Sequence, residues 1–180
     1  MYKNVVFDLG NVLIRWDPRN LYRKIFHDES KMNHFLGNIC TLEWNEKQDA
    51  GRPWAEGVAE LTAKHPEWQN EIRAYDERWV EMLGAPLEGT VEILEKLKAE
   101  KKVKLYARSN WSVEKFAVSE GRFPFLKLFD GMVISGRVGL QKPDPRIYHH
   151  LCNEFGVKPQ ESVFIDDMPR NLKPAQELGF

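Results

Sequence analysis

Cysteine is scarce in this sequence. Cys40 and Cys152 stand without paired spacing among 180 residues, which argues against a disulfide scaffold and suits a reducing cytoplasm. Five histidines are present, but none has a partner at zinc-ligand spacing, so all five read as structural or surface residues. No run approaches the roughly 18 apolar residues of a membrane span, and the stretch after Met1 is too short for a signal peptide. Charge of one sign is lacking too: 26 basic residues face 27 acidic ones, for a net charge of -1. With no long basic run interleaved with aromatics, a broad nucleic-acid footprint is excluded. The densest charge run, Glu95 to Lys104, mixes signs and reads as the solvated end of a helix. No internal repeat or low-complexity segment is visible. A soluble cytoplasmic protein, monomer or homodimer, is the expectation.

What is present is enough for one domain carrying a small inserted module, with 42% hydrophobic residues to build its core. Asn4 to Phe7 is a short apolar run ending at Asp8, and it reads as a buried strand delivering a carboxylate into a loop. From about Trp16 to Gly84 strand signals thin out and residues recur at helical spacing. Asp17-Pro18 opens the first helix, with Leu21, Ile25 and Phe26 on its apolar face, and Pro53 and Pro66 punctuate later ones. Strand and helix then alternate. A helix carries Val91, Ile93-Leu94 and Leu97, and a strand from Val103 to Ala107 ends at Ser109-Asn110. Next come a helix with Phe116, a strand at Met132 to Ile134 and a helix from Ile147 to Phe155. A strand at Val163 to Ile165 ends at Asp166-Asp167, before a last helix. This alternation predicts a doubly wound, Rossmann-like α/β fold with a parallel sheet. Residues 1–15 and 85–180 form its core, and residues 16–84 a small inserted helical cap.

Ligands of such sheets bind beyond the carboxyl ends of the strands. The residues there are Asp8, Ser109, Asn110, Lys142, Asp166 and Asp167. Three carboxylates against one lysine require a proton or a cation, since like charges at close range raise one another's pKa. Hard oxygen ligands suit Mg²⁺, which would also shield an attacking carboxylate from a phosphate. Ser109 and Asn110 can donate hydrogen bonds to phosphoryl oxygens, and Lys142 can neutralise developing charge. The chemistry implied is a carboxylate nucleophile with a metal and an oxyanion clamp.

Phe7-Asp8-Leu9-Gly10-Asn11-Val12, Arg108-Ser109-Asn110, Lys142-Pro143-Asp144-Pro145 and Phe164-Ile165-Asp166-Asp167 with Asn171 occur in this order along the chain. Together they resemble the four motifs of the haloacid dehalogenase-like (HAD) hydrolase superfamily, over essentially the whole chain. The helical insert resembles the small cap of the subgroup that holds dehalogenases and sugar phosphatases. The resemblance implies a phosphatase acting on a small phosphorylated metabolite, of which sugar phosphates are the expected class. It makes Asp8 the nucleophile, forming an aspartyl-phosphate, and also a metal ligand. Gly10 supplies a backbone carbonyl to Mg²⁺, Asp167 is a direct ligand with Asp166 in or beside the first shell, and Asn171 orients them. Ser109 and Asn110 bind phosphate, and Lys142 neutralises charge.

The largest departure from the family pattern is Gly10 itself, where family phosphatases carry a second aspartate that protonates the leaving group and later activates water. Asp17 is the sequence's candidate replacement, with Asp144 behind it, although Asp17 reads equally well as a helix N-cap. Dehalogenases of the superfamily also lack that aspartate and use no metal, but they replace the paired acids kept here as Asp166-Asp167. A non-catalytic binding or regulatory member is the other alternative. Arg108, where an apolar residue is expected, reads as a salt bridge at the sheet's end. Trp44 or Arg52 could line a substrate pocket, although for the tryptophans Trp16, Trp44, Trp54, Trp68 and Trp79 packing within the helical module is the ordinary role. Family members continue past the equivalent of Gly179-Phe180 into one more strand beside the one that ends at Asp166, so the expectation is either a shortened chain or an edge covered by a partner chain.

Overall fold

Four short apolar runs pair as parallel strands in the computed structural model, which describes residues 2–180. They are β1 (Asn4–Phe7), β4 (Lys104–Ser109), β5 (Gly131–Ile134) and β6 (Ser162–Ile165), in the order β5-β4-β1-β6. β6 therefore lies at an edge. The register sets Phe7 level with both Ala107 and Ile165, and Ser109 level with Ile134. Asp8, Ser109 and Asp166 are thus delivered to the same rim.

Alternate residues of the strands enter different layers, as the period of two requires. Val5, Phe7, Leu105, Ala107 and Ile134 join one apolar cluster with Leu94 of α6 (Glu88–Glu100) and Phe116 of α7 (Val113–Ser119). Val6, Tyr106 and Val133 join another. Its remaining members include Tyr148 and Leu151 of α9 (Pro145–Phe155) and Ala175 of α10 (Pro169–Leu178). A parallel sheet covered on both faces is the doubly wound arrangement read from the sequence.

Between β1 and α6 the chain forms an antiparallel ribbon of β2 (Ile14–Trp16) and β3 (Leu83–Pro86). The intervening helices are α1 (Arg19–Tyr22), α2 (Glu29–Asn38), α3 (Leu42–Asp49), α4 (Trp54–Lys64) and α5 (Gln69–Glu77). Their aromatic residues pack in a chain, Trp44 lying 5.6 Å from Trp54 and 5.2 Å from Tyr75 between ring centres. Where α3 crosses α4, Gly57 leaves no room for a side chain: a Cβ there would stand 2.7 Å from Gln48 Oε1. The apolar cluster on the α6 face runs without a break into these helices through Trp54, Tyr75 and Trp79.

The helices are also fastened to the sheet rim by polar contacts. Trp54 Nε1 donates to Ser112 Oγ at 2.8 Å, and the Trp54 amide donates to Glu114 Oε1 at 3.1 Å. Lys115 pairs with Asp76, and Arg170 at the start of α10 pairs with Glu46 on α3. No helix among the described residues is long and apolar enough to cross a membrane.

Candidate active site

Asp8 follows β1 directly and is buried. Its amide donates to Ile165 O at 2.8 Å, and its Oδ1 accepts the Leu9 amide at 2.8 Å. The next six residues fold back tightly, with Leu13 and Ile14 amides both donating to Leu9 O. Asn11 makes the turn at φ 53°, a left-handed conformation asparagine tolerates, and its Oδ1 accepts the Trp16 amide. Gly10 bridges to Ile14 within this turn and lines the cleft above the rim. A Cβ at Gly10 would meet no atom within 4 Å.

Lys142 ties the rim together. Its Nζ lies 2.8 Å from Asp8 Oδ2 and 2.5 Å from Asp166 Oδ2, with its side chain almost wholly buried. The loop that carries it is clamped by Asn110, whose Nδ2 donates to Lys142 O at 2.9 Å while its Oδ1 accepts the Lys142 amide at 2.8 Å. The Asn110 side chain thus positions the lysine instead of pointing into open space. Asp166 is equally occupied: its Oδ1 accepts from the Met168 amide and from Asn171 Nδ2, at 2.9 and 2.8 Å. Asn171 therefore orients Asp166.

Asp167 is exposed, and carboxylate oxygens of Asp8, Asp166 and Asp167 lie within 4.8 Å of one another. Burial, then the charges of Asp8 and Asp166, push the Asp167 carboxyl above the ordinary range. One lysine cannot neutralise three carboxylates. A small cluster of hard oxygens with excess negative charge fits a divalent ion such as Mg²⁺.

Arg108 departs from its expected salt bridge. It is fully buried with its guanidinium 3.5 Å above the Tyr148 ring, and its Nε, Nη1 and Nη2 find no hydrogen-bond acceptor among the described residues. Its strand position points it into the apolar layer against α9, where an aromatic face replaces a carboxylate as its neighbour. Desolvation there lowers its pKa.

Over the rim lies a cleft of about 130 Å³, lined by Gly10, Ile14, Ser109 and Asn110 and by Trp16, Asn45, Asp49, Trp79 and Trp111. Neither Trp44 nor Arg52 is part of this lining. Trp44 is buried in the aromatic packing and donates to Gly57 O, while Arg52 is held by Gln48 and Glu60. Asp17 sits beside the lining residue Trp16, with its Oδ1 accepting the Arg19 amide at 2.8 Å. Asp144 caps α9 and pairs with Arg146 at 2.6 Å.

Asp49 is the carboxylate that the sequence reading did not single out. It ends α3, where its Oδ1 accepts the Ser112 amide at 3.0 Å and its Oδ2 accepts Asn45 Nδ2 at 2.8 Å. The carboxyl is enclosed by protein, although the residue keeps some surface open to the cleft. That enclosure pushes its pKa up to about 7. The charge of Glu46 adds to the rise, and the Ser112 and Asn45 hydrogen bonds oppose it.

The family model of haloacid dehalogenase-like hydrolases matches residues 2–179. The chain belongs to that family. Among relatives of this hydrolase, the sesquiterpene phosphatase astK of Aspergillus oryzae is 26% identical over 99% of this chain and 87% of its own. The bifunctional epoxide hydrolase 2 of Mus musculus is 47% identical over 51 residues, which cover 28% of this chain and only 9% of that protein. In structure, the HAD family enzyme bt-2542 of Bacteroides thetaiotaomicron, in complex with magnesium and inorganic phosphate, aligns with a TM-score of 0.73 at 26% identity. The alignment covers 100% of this hydrolase and 92% of that chain.

Proposed function

We propose that this hydrolase is a Mg²⁺-dependent phosphatase that cleaves a small phosphate monoester through an aspartyl-phosphate on Asp8. The observation that carries the reading is the rim itself: Lys142 bridges Asp8 and Asp166, with Asp167 close enough to share a cation with them. Asp8, Asp167 and the Gly10 carbonyl would hold Mg²⁺, with Asp166 beside them; bound there, the ion screens the nucleophile from the phosphate's charge. Asp8 attacks phosphorus with one carboxylate oxygen. Lys142 holds that carboxylate in place through its ion pair, and offsets negative charge on the phosphoryl group as the ester bond breaks. Ser109 and Asn110 form the floor beneath the phosphate, the Asn110 side chain acting through its clamp on Lys142.

Residues 16–84 serve in this reading as a cap over a core of residues 1–15 and 85–180, so the cap wall selects the substrate and excludes water. Trp16, Trp79 and Trp111 offer flat apolar faces beside the polar Asn45 and Asp49. A sugar phosphate suits such a wall, stacking a ring face on indole while its hydroxyls meet polar groups. The name of the related sesquiterpene phosphatase supplies an apolar phosphate ester as the comparison arm of a screen.

The test is a screen of sugar phosphates and apolar phosphate monoesters with and without Mg²⁺, using Asp8→Asn as control. Metal-dependent phosphate release that the variant lacks is the expected result. Unchanged release by Asp8→Asn would remove the nucleophile. Halide release without metal would instead make the chain a dehalogenase.

A further inference from the structure

Gly10 leaves a phosphatase of this kind without an acid to protonate its leaving group. We infer that Asp49, on the last turn of α3, is the general acid and base of the reaction. The inference rests on the phosphatase reading above. Three observations place the role at Asp49.

The space beside Gly10 is open, so the cleft has room where a side chain at that position would otherwise stand. Among the cleft's lining residues, Asp49 is the sole carboxylate, and it shares the cleft with Gly10, Ser109 and Asn110. The other two candidates lie outside that lining, Asp17 turned to the Arg19 amide and Asp144 to Arg146.

Its setting also suits a group that must both give and take a proton. The Ser112 amide and Asn45 Nδ2 fix one lone pair on each carboxylate oxygen, which leaves the carboxyl oriented but still able to carry a proton. The Asp49 carbonyl accepts from Ser135 Oγ, so the helix end itself is anchored to α8 (Ser135–Val138). Around it, Glu46 on the same helix adds negative charge while paired with Arg170. α7 presents the Ser112 amide, with Glu114 accepting the Trp54 amide. α8 presents Ser135, its Arg137 lying 3.6 Å from Glu120. With a pKa raised to about 7, both protonation states are populated at neutral pH.

The step balances as follows. An Asp8 oxygen bonds to phosphorus, the bond from phosphorus to the ester oxygen breaks, and the Asp49 proton passes to that oxygen to release the alcohol. Water then attacks phosphorus and gives its proton to the Asp49 carboxylate. The bond to Asp8 breaks, inorganic phosphate leaves, and Asp49 is again protonated.

Para-nitrophenyl phosphate and phenyl phosphate separate this role from a structural one, because nitrophenolate leaves without a proton and phenolate leaves poorly. Asp49→Asn is expected to release about one nitrophenol per enzyme at near wild-type rate and then to turn over slowly, as aspartyl-phosphate accumulates. Its phenol release should fall about 10²-fold or more. Gly10→Asp in the same background returns an acid to the cleft and should recover phenol release, which it could not do for a damaged fold. Equal losses on both phosphates without a burst or rescue, or no loss on either, overturn the assignment, and a phenol-specific loss in Asp17→Asn transfers it there. Wild-type protein that releases no phosphate with Mg²⁺ removes the phosphatase reading and this inference together. Loss of phosphate release in Asp8→Asn, with Asp49→Asn turning over both phosphates like the wild type, removes the inference alone.

Discussion

A carboxyl held near pH 7 by burial should make the protein less stable than it would be without that group, and Asp49 allows the size of this effect to be worked out. Below about pH 4 the group is protonated in both the folded and the unfolded chain, so it contributes nothing. Between about 4 and 7 the unfolded chain ionises it while the folded chain, with its pKa at about 7, keeps the proton. Folding then takes up a proton, and stability falls as pH rises. Above about 7 both states are ionised and the cost stays constant. About three decades of proton affinity at roughly 1.4 kcal/mol each set a ceiling of about 4 kcal/mol. The opening of the cleft to water lowers the real figure below that ceiling.

Asp49→Asn removes the titration while the introduced amide oxygen still accepts the Ser112 amide. Asn45 can turn its own amide to present Oδ1, which has no partner now. The measurement is urea unfolding of both proteins at about pH 5 and pH 8.5, comparing midpoints at constant slope. Only about two of those decades lie above pH 5, so the variant's advantage should grow between the two pH values by up to about 3 kcal/mol. Comparing variant with wild type cancels the contributions of all other titrating groups. A margin that stays flat or shrinks between those pH values would refute the claim that Asp49 is held neutral by its surroundings. Retention of a destabilising acid at a cleft is what a stability–activity trade-off predicts.

Other consequences can be measured on the same material. Mg²⁺ should raise the melting temperature of the wild-type protein and not that of Asp167→Asn, since that substitution removes a charge from the cluster of three carboxylates. Trp54→Ala empties a fully buried site and breaks the bond to Ser112, so urea denaturation should show a loss of about 3–5 kcal/mol. Arg108→Met replaces a buried, unpaired cation with an apolar chain, and should stabilise by about 1–4 kcal/mol in the same assay.

The contrast between Asp8 and Asp49 shows what a sequence can display. Asp8, Ser109 and Asp166 each end an apolar run, and parallel pairing in register carries such ends to one rim whatever the intervening chain does. The four sheet strands were therefore legible to within a few residues. β2 and β3 were not, because three and four residues, one of them proline, carry no period to detect. Asp49 was hidden for a different reason. Helix α3 is mostly polar, and the face it buries includes Asn45 and Gln48 as well as Trp44. Such a face is held by hydrogen bonds, as when Gln48 Nε2 donates to Trp44 O at 2.6 Å, so no apolar stripe marks it. The physical signal was the cost itself: amides and a carboxylate on a buried helix face require partners, and at this seam Ser112 and Ser135 supply them from the core. The same bonds give Asp49 a fixed position only while α3 is docked. A shift of α3 away from Ser112 would thus withdraw both the acid that the leaving group needs and the base that the attacking water needs.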